Sequence, residues 1–248
     1  MTAAALGVGA SEVRPLCALS EAEWLALDAD AGVPLRPDPL SDLDPFAQAR
    51  ARAEARATLL ARGLLAAAAG PEPRPAPELA LVLAARRAPE RVVALEGVSA
   101  QDPLSRQYFG ATARAGGFVV ESSRGGSRQF TLAGPDRVVA EILELLAPSA
   151  PAPVPPGAGW VGLGVGEAAQ EAMGRVIDGA SRITRVMGVV LQAGGPARSV
   201  DFTVVIDGEA RARVVRQHHR SDGAAPTLEV GAMDGDQLRA IVSGLVRG

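Results

Sequence analysis

Two stretches of the chain, residues 91–148 and 183–248, share one pattern of apolar and polar positions: several short strand-type runs, then a helix. In the first, Arg91, Val93 and Leu95 alternate with Val92, Ala94 and Glu96. A period of two sends successive side chains to opposite faces of a strand. Tyr108–Ala115 and Gly117–Ser122 flank Gly116-Gly117 and predict a hairpin, and Arg128–Leu132 predicts a further strand. Gly134-Pro135-Asp136 opens a helix over Arg137–Leu146, with apolar residues at 138, 139, 142, 145 and 146. In the second stretch Ile183–Gln192, Val200–Ile206, Ala210–Gln217 and Thr227–Val230 predict strands, with a turn at Gly194-Gly195-Pro196. Asp207-Gly208 signals a tight type I′ hairpin. Asp236–Val246 predicts the closing helix. The closing helices align at a spacing of 100: Asp136 with Asp236, Val138 with Leu238, Ala140 with Ala240, Ile142 with Val242, Leu145 with Leu245 and Leu146 with Val246. The pattern predicts an α+β fold, a quasi-twofold duplicated unit whose strands form a central antiparallel sheet with helices packed on it.

The flanking segments are mostly helical. Val13–Leu19 predicts a short strand, and Ser20 with Glu23 three residues on has the spacing of a capping box, opening a helix through about Ala29. Val33-Pro34-Leu35 reads as extended. Asp42 or Asp44 caps a long Ala/Arg/Leu helix with Pro45 in its first turn, running to Gly70-Pro71. A stiff connector, PEPRPAP, leads to a helix over Glu78–Ala88 with Leu79, Val82 and Leu83 on one face. Gly166–Gly179 predicts another helix, with Met173, Val176 and Ile177 inward. The division expected is a frayed segment 1–12, a first half 13–147, a Pro-rich linker 148–159 and a second strand-helix unit 160–248, the halves forming one domain.

Composition narrows the function classes. The chain has 248 residues, no Lys and no Asn, and only 3% aromatic residues. Its core must rest on Leu, Val, Ile and Ala, and no Schiff-base or phosphate-loop Lys is available. The net charge of −3 comes from interspersed charges, which disfavours nucleic acid as a partner. A lone Cys17 excludes an intrachain disulfide and fits a reducing cytoplasm. The first fifteen residues lack the charged and apolar regions of a signal peptide, and no apolar run reaches 18 residues, so no membrane insertion is expected.

Candidate chemistry is sparse. Gly162-Leu163-Gly164-Val165-Gly166 suggests a nucleotide loop, which would need a strand before it and a helix after it; a Pro-rich segment precedes it and no Gly-Lys-Ser/Thr follows. A flexible start to the next helix is the simpler reading, with a small-molecule-binding protein or enzyme using Gly162–Gly166 as the alternative function. His218 and His219 are adjacent, so on a strand they point to opposite faces and do not grip one metal ion. There is no Gly-x-Ser-x-Gly elbow, and Cys17 reads as a small buried residue. Arg50, Arg52, Arg56 and Arg62 line the long helix, where an acidic partner has a place to dock but a solvated face suffices. No catalytic, cofactor or metal residue is assigned, and an enzyme is not expected.

The order of segments carries a resemblance. LSEAEWLAL is followed by V-P-L-R, then RARAEARATLLARGLL, then P-E-L-A-L-V-L and A-P-E-R-V-V-A-L-E-G. Strands, closing helix, Pro linker, helix and a second strand set complete it. From about residue 13 to 247 this resembles the EspG family of ESX (type VII) secretion-associated proteins of actinobacteria. The resemblance implies a cytosolic chaperone with a quasi-twofold fold that binds the tip of a small helical substrate, a PE–PPE-like heterodimer, and delivers it for secretion. It further implies partner contacts from a loop between early strands, near Gly97–Gln107, and from helices near Gly166–Gly179. Leu104, Arg106, Met173, Val176 and Ile177 are the candidate partner-binding residues. Self-association is a third possibility.

Overall fold

The computed structural model describes residues 7–27, 44–67, 73–99, 104–111, 115–124, 126–147, 151, 154, 159–164, 167–190, 198–207, 209, 211–218 and 227–247. Among them are β1 (Val13–Ser20), α1 (Glu21–Leu27), α2 (Pro45–Ala61), β2 (Leu65–Ala66), β3 (Arg74–Pro75) and α3 (Pro77–Arg87). Next come β4 (Arg91–Ser99), β5 (Leu104–Ala111), β6 (Gly117–Arg124), β7 (Ser127–Ala133) and α4 (Pro135–Leu146). The remainder is β8 (Val161–Gly164), α5 (Glu167–Ile177), β9 (Ala180–Val190), β10 (Arg198–Asp207), β11 (Ala212–His218), β12 (Thr227–Met233) and α6 (Gly235–Arg247). Ten strands hydrogen-bond in the order β1-β7-β6-β5-β4-β9-β10-β11-β12-β8, and β2 pairs with β3. The fold is α+β with a large antiparallel sheet. The chain order β8-α5-β9-β10-β11-β12-α6 matches β1-α1 and β4-β5-β6-β7-α4, with α2, β2, β3 and α3 inserted between them.

The chain separates into two compact units. One holds residues up to Glu90 with Tyr108–Gly134; the other holds Arg91–Gln107 with Pro135–Gly248. In the first unit β1 pairs with β7 from Val13↔Ala133 to Ser20↔Ser127, and β6 pairs with the other side of β7. The capping box forms as its spacing predicts: the Ser20 amide donates to Glu23 Oε2 (2.8 Å) and the Glu23 amide donates to Ser20 Oγ (3.1 Å). Asp44 caps α2 by accepting from the amides of Phe46 and Ala47.

The long helix stops earlier than its composition predicts. Gly63 takes a left-handed φ of 71°, the Gly63 amide donates to Leu60 O (3.0 Å) and the Leu64 amide to Leu59 O (3.0 Å). This pair of bonds satisfies the last carbonyls of a helix, and the αL residue that makes it possible is best as Gly. The chain then turns into β2, which pairs with the Arg-Pro of the expected stiff connector.

Residues 7–12, expected to fray, are held. The Val8 amide donates to Ala115 O (3.1 Å), and the Gly134 amide donates to Glu12 O (2.9 Å). The close crossing requires Gly134, since a Cβ there would collide with the carbonyl oxygens of Gly9 and Ala10. The expected extended segment Val33-Pro34-Leu35 and the turn Gly194-Gly195-Pro196 lie outside the described residues, as does most of the Pro-rich linker.

In the second unit β4 pairs with β9 over nine residues, from Arg91↔Val190 to Ser99↔Arg182. β9, β10, β11, β12 and β8 follow as antiparallel neighbours. Val93, Leu95, Val186, Phe202, Val204 and Val214 are buried on one face. Helices α4 and α6 pack together and bury Val138, Ile142 and Leu146 from one, and Leu238, Val242 and Val246 from the other. Arg182 of β9 donates to the Leu145 carbonyl at the end of α4 (2.7 Å), and Arg91 of β4 donates to the Val246 carbonyl at the end of α6 (2.7 Å). Each helix thus has a cation at the end where the macrodipole is negative. The β10–β11 hairpin is wider than a two-residue turn. The Asp207 amide meets Arg211 O, and the Asp207 carboxylate accepts from the amides of Glu209 and Arg211.

Candidate partner-binding surface

Helix α5 sits between β8 and β9 in the chain and packs chiefly on those two strands. Ala169, Met173, Val176 and Ile177 recur at the spacing that puts them along one helix face. Ala169 is buried, but Met173, Val176 and Ile177 are only half-buried. The sequence predicts all three inward. They fall short because α5 leans mainly on the short edge strand β8 and less on β9, too little surface to close the stripe. The helix ends in the Asp178 amide donating to Gly174 O (2.8 Å) and in Gly179 at a left-handed φ of 76°. An open groove of about 670 Å³ lies there, lined by Glu171, Gly174, Arg175, Ile177, Asp178 and Gly179. An apolar stripe beside such a groove can seat apolar side chains of another helix.

The other candidates stand on a different element. The segment Gly97–Gln107, expected as a loop, is strand at both ends: Gly97–Ser99 finish β4 and Leu104 opens β5, with residues 100–103 outside the described residues. Arg106 is half-buried, with its Nε 3.6 Å from Glu141 Oε1 of α4. Leu104 and Arg106 stand on β5, whereas Met173, Val176 and Ile177 stand on α5.

The glycine run is partly strand. Gly162 pairs with Glu229 and Gly164 with Leu228. Their backbone belongs to a ladder, whereas a phosphate loop needs its amides free beyond the strand end. His218 ends β11 opposite Thr227, and His219 lies outside the described residues. No group of three or more metal-ligating side chains is assembled among the described residues. Cys17 is half-buried, and burial pushes its thiol up to about 11, so it is a poor nucleophile at neutral pH.

Arg50, Arg52 and Arg56 of α2 and its C-cap residue Arg62 are all exposed, as a solvated face requires, but they are not all without partners. Arg50 pairs with Glu54 (2.8 Å) as an exposed i,i+4 pair, but Arg62 reaches back to Glu23 (2.6 Å) and to the Ala18 carbonyl (2.7 Å). Glu23 is held by several donors at once. Burial pushes its pKa up, but the Ser20 amide and hydroxyl and the Arg62 guanidinium outweigh that and hold it below the ordinary range. A carboxylate with a depressed folded pKa stabilises the fold above its unfolded pKa of about 4.3 and loses that contribution as pH falls. Denaturant unfolding over a pH series should therefore show an acid decline below about pH 5. Glu23→Gln should be less stable at neutral pH and should flatten that decline.

A buried cluster in the same unit escaped sequence reasoning. Glu121 on β6 pairs with Arg86 of α3 and with Arg128 of β7 (3.0 Å), and Arg128 also reaches Glu21 of α1 (2.9 Å). The Trp24 ring lies 4.5 Å from the Arg86 guanidinium and 5.1 Å from that of Arg128, and it stacks on Phe130 at 5.4 Å. Charges here are matched and hydrogen-bonded, which makes the cluster a tie between α1, α3 and the sheet. No helix among the described residues is long and apolar enough to cross a membrane. No protein-family model matches the chain, and no curated protein matches it.

Proposed function

We propose that this chain is a cytosolic chaperone or adaptor of the EspG kind, which holds a small helical secretion substrate for a type VII system. The observation that carries the reading is the incompletely covered stripe of Met173, Val176 and Ile177 beside an open groove. The α+β fold with a large antiparallel sheet is compatible with that family, and the element order shared by the first series, its insertion set aside, and the second supports a duplicated scaffold. A secreted helical pair with an apolar tip would aggregate if left uncovered. A matching apolar stripe on a rigid sheet-backed helix shields it without chemistry.

Burying a Met or Val side chain against a client contributes about 1.5–3 kcal/mol. The double variant Met173→Asp/Val176→Asp should therefore lower client capture at least about tenfold, the equivalent of about 1.4 kcal/mol. Affinity capture from the native host with mass spectrometry reads the effect, with circular dichroism checking that the variant folds. Recovery of no small helical protein, or equal capture by the folded variant, overturns the reading.

A further inference from the structure

We infer that the outward face of α2 is a self-association surface, and that its occupant is α2 of a second copy of this chain, packed antiparallel to it. α2 is apolar on two sides. Ala55 and Leu59 are buried on the inner side, and the helix packs on α1. On the outer side Phe46 is 80% exposed and Leu60 42%. A surface helix carries one apolar stripe, and a helix apolar on both sides belongs between two partners. Phe46 and Leu60 stand at the two ends of one outer stripe, joined by the exposed Ala49, Ala53 and Ala57. Steps of three and four residues keep all five on one face. The helix is unbroken over Pro45–Ala61, so its register holds along the whole stripe.

The identity of the occupant follows from the symmetry of that stripe. Phe46 and Leu60 lie seven residues either side of Ala53, and Ala49 and Ala57 lie four either side. A two-fold axis at Ala53 pairs Phe46 with Leu60 of the second copy, Leu60 with its Phe46, Ala49 with its Ala57, and Ala53 with its Ala53. The large side chains meet at both ends, about 10 Å along the helix from the axis. Between them the alanines let the backbones approach to the short end of the 8–10 Å interaxial range. One flank is complementary in charge as well. Arg50 and Glu54 form an exposed pair within the helix (2.8 Å), and the same axis brings each Arg50 beside the Glu54 of the second copy. The other flank carries Arg52, which already has a partner, and Arg56, whose Nε donates to the Ala26 carbonyl of α1 (3.5 Å). Their like charges still approach those of the second copy, so the association should tighten as salt is raised. One helix pair buries less than the roughly 1,200 Å² of a standard interface, so the dimer is weak and concentration-dependent.

In sedimentation velocity the unmodified chain should pass from monomer to dimer as concentration rises, and more readily at high salt. Ala53→Glu places two carboxylates on the axis and should leave the chain monomeric, with an unchanged circular dichroism spectrum because Ala53 is exposed. The register is testable by cross-linking. The Cα atoms of the two Ala53 residues come about 5 Å apart, within the range a disulfide spans. Under mild oxidation Ala53→Cys should form a covalent dimer on non-reducing gels. Ala57→Cys should not, because its counterpart lies about 12 Å away along the seam. Cys17 gives little background because it is half-buried and its thiol stays protonated. A chain that is monomeric at every concentration, which would leave the stripe to a helix of another protein, overturns the inference. So does a dimer that survives Ala53→Glu, a dimer that raised salt abolishes, or equal cross-linking of the two cysteine variants.

Discussion

Replacing Glu121 by alanine should destabilise the first unit by about 3–5 kcal/mol, the cost of removing one partner from a buried ion pair. The side chains of Arg86, Glu121 and Arg128 are 6%, 5% and 9% exposed, so water cannot take over the lost contacts. The substitution removes a carboxylate shared by two guanidiniums. Arg128 keeps Glu21, but Arg86 loses its ion pair with Glu121 while it remains between the Trp24 and Phe109 rings. Exchanging both partners for apolar residues, Arg86→Met with Glu121→Leu, should recover part of the loss, because it removes the buried guanidinium together with the carboxylate that faced it. Trp24 reports on this unit directly. In a Trp160→Phe background it is the remaining tryptophan, and urea unfolding followed by its fluorescence should show the midpoint fall. An unchanged midpoint would mean that the cluster does not hold α1 and α3 to the sheet.

That cluster shows where the sequence stops being readable. Two of its links join residues 35 and 107 apart and the third joins neighbouring strands, and nothing local distinguishes Arg86, Glu121 or Arg128 from surface charges. The capping box at Ser20–Glu23 was legible because both partners lie within one turn. The closing helices were legible because Val138, Ile142, Leu238 and Val242 keep a strict helical spacing. The end of α2 was not: Gly63 stands inside a run of strong helix formers, and one αL residue with two backbone bonds outweighs that propensity. β8 was missed for the converse reason. Val-Gly-Leu-Gly after a Pro-rich stretch has poor strand propensity, and it becomes a strand only because β12 offers a ladder to join. The face of α5 was read correctly as apolar. Its degree of burial depends on how much surface β8 and β9 supply, and sequence periodicity carries no information about that.

The 100-residue correspondence of the closing helices makes a paired prediction about the core of the second unit. Ile142 is fully buried on α4 and Leu238 on α6. Truncating either to alanine removes transfer energy and leaves a cavity, at about 2–5 kcal/mol each. Glu144, exposed on the outer side of α4, should be replaceable by alanine within about 0.5 kcal/mol. Because α4 and α6 pack directly on each other, the double variant Ile142→Ala/Leu238→Ala should depart from additivity, as substitutions in one packed cluster do when they share a cavity. Arg182 and Arg91 hold the ends of these helices through the Leu145 and Val246 carbonyls, and Arg247 ties the end of α6 to Asp136 at the start of α4 (2.6 Å). With the ends held, the helices cannot slide to refill the space. The cost should therefore sit toward the upper part of the range, and releasing one end with Arg182→Ala should lower the additional penalty of Ile142→Ala. Chemical denaturation of the single variants and the two double variants measures each term, and full additivity of Ile142→Ala with Leu238→Ala would show that α4 and α6 relax independently.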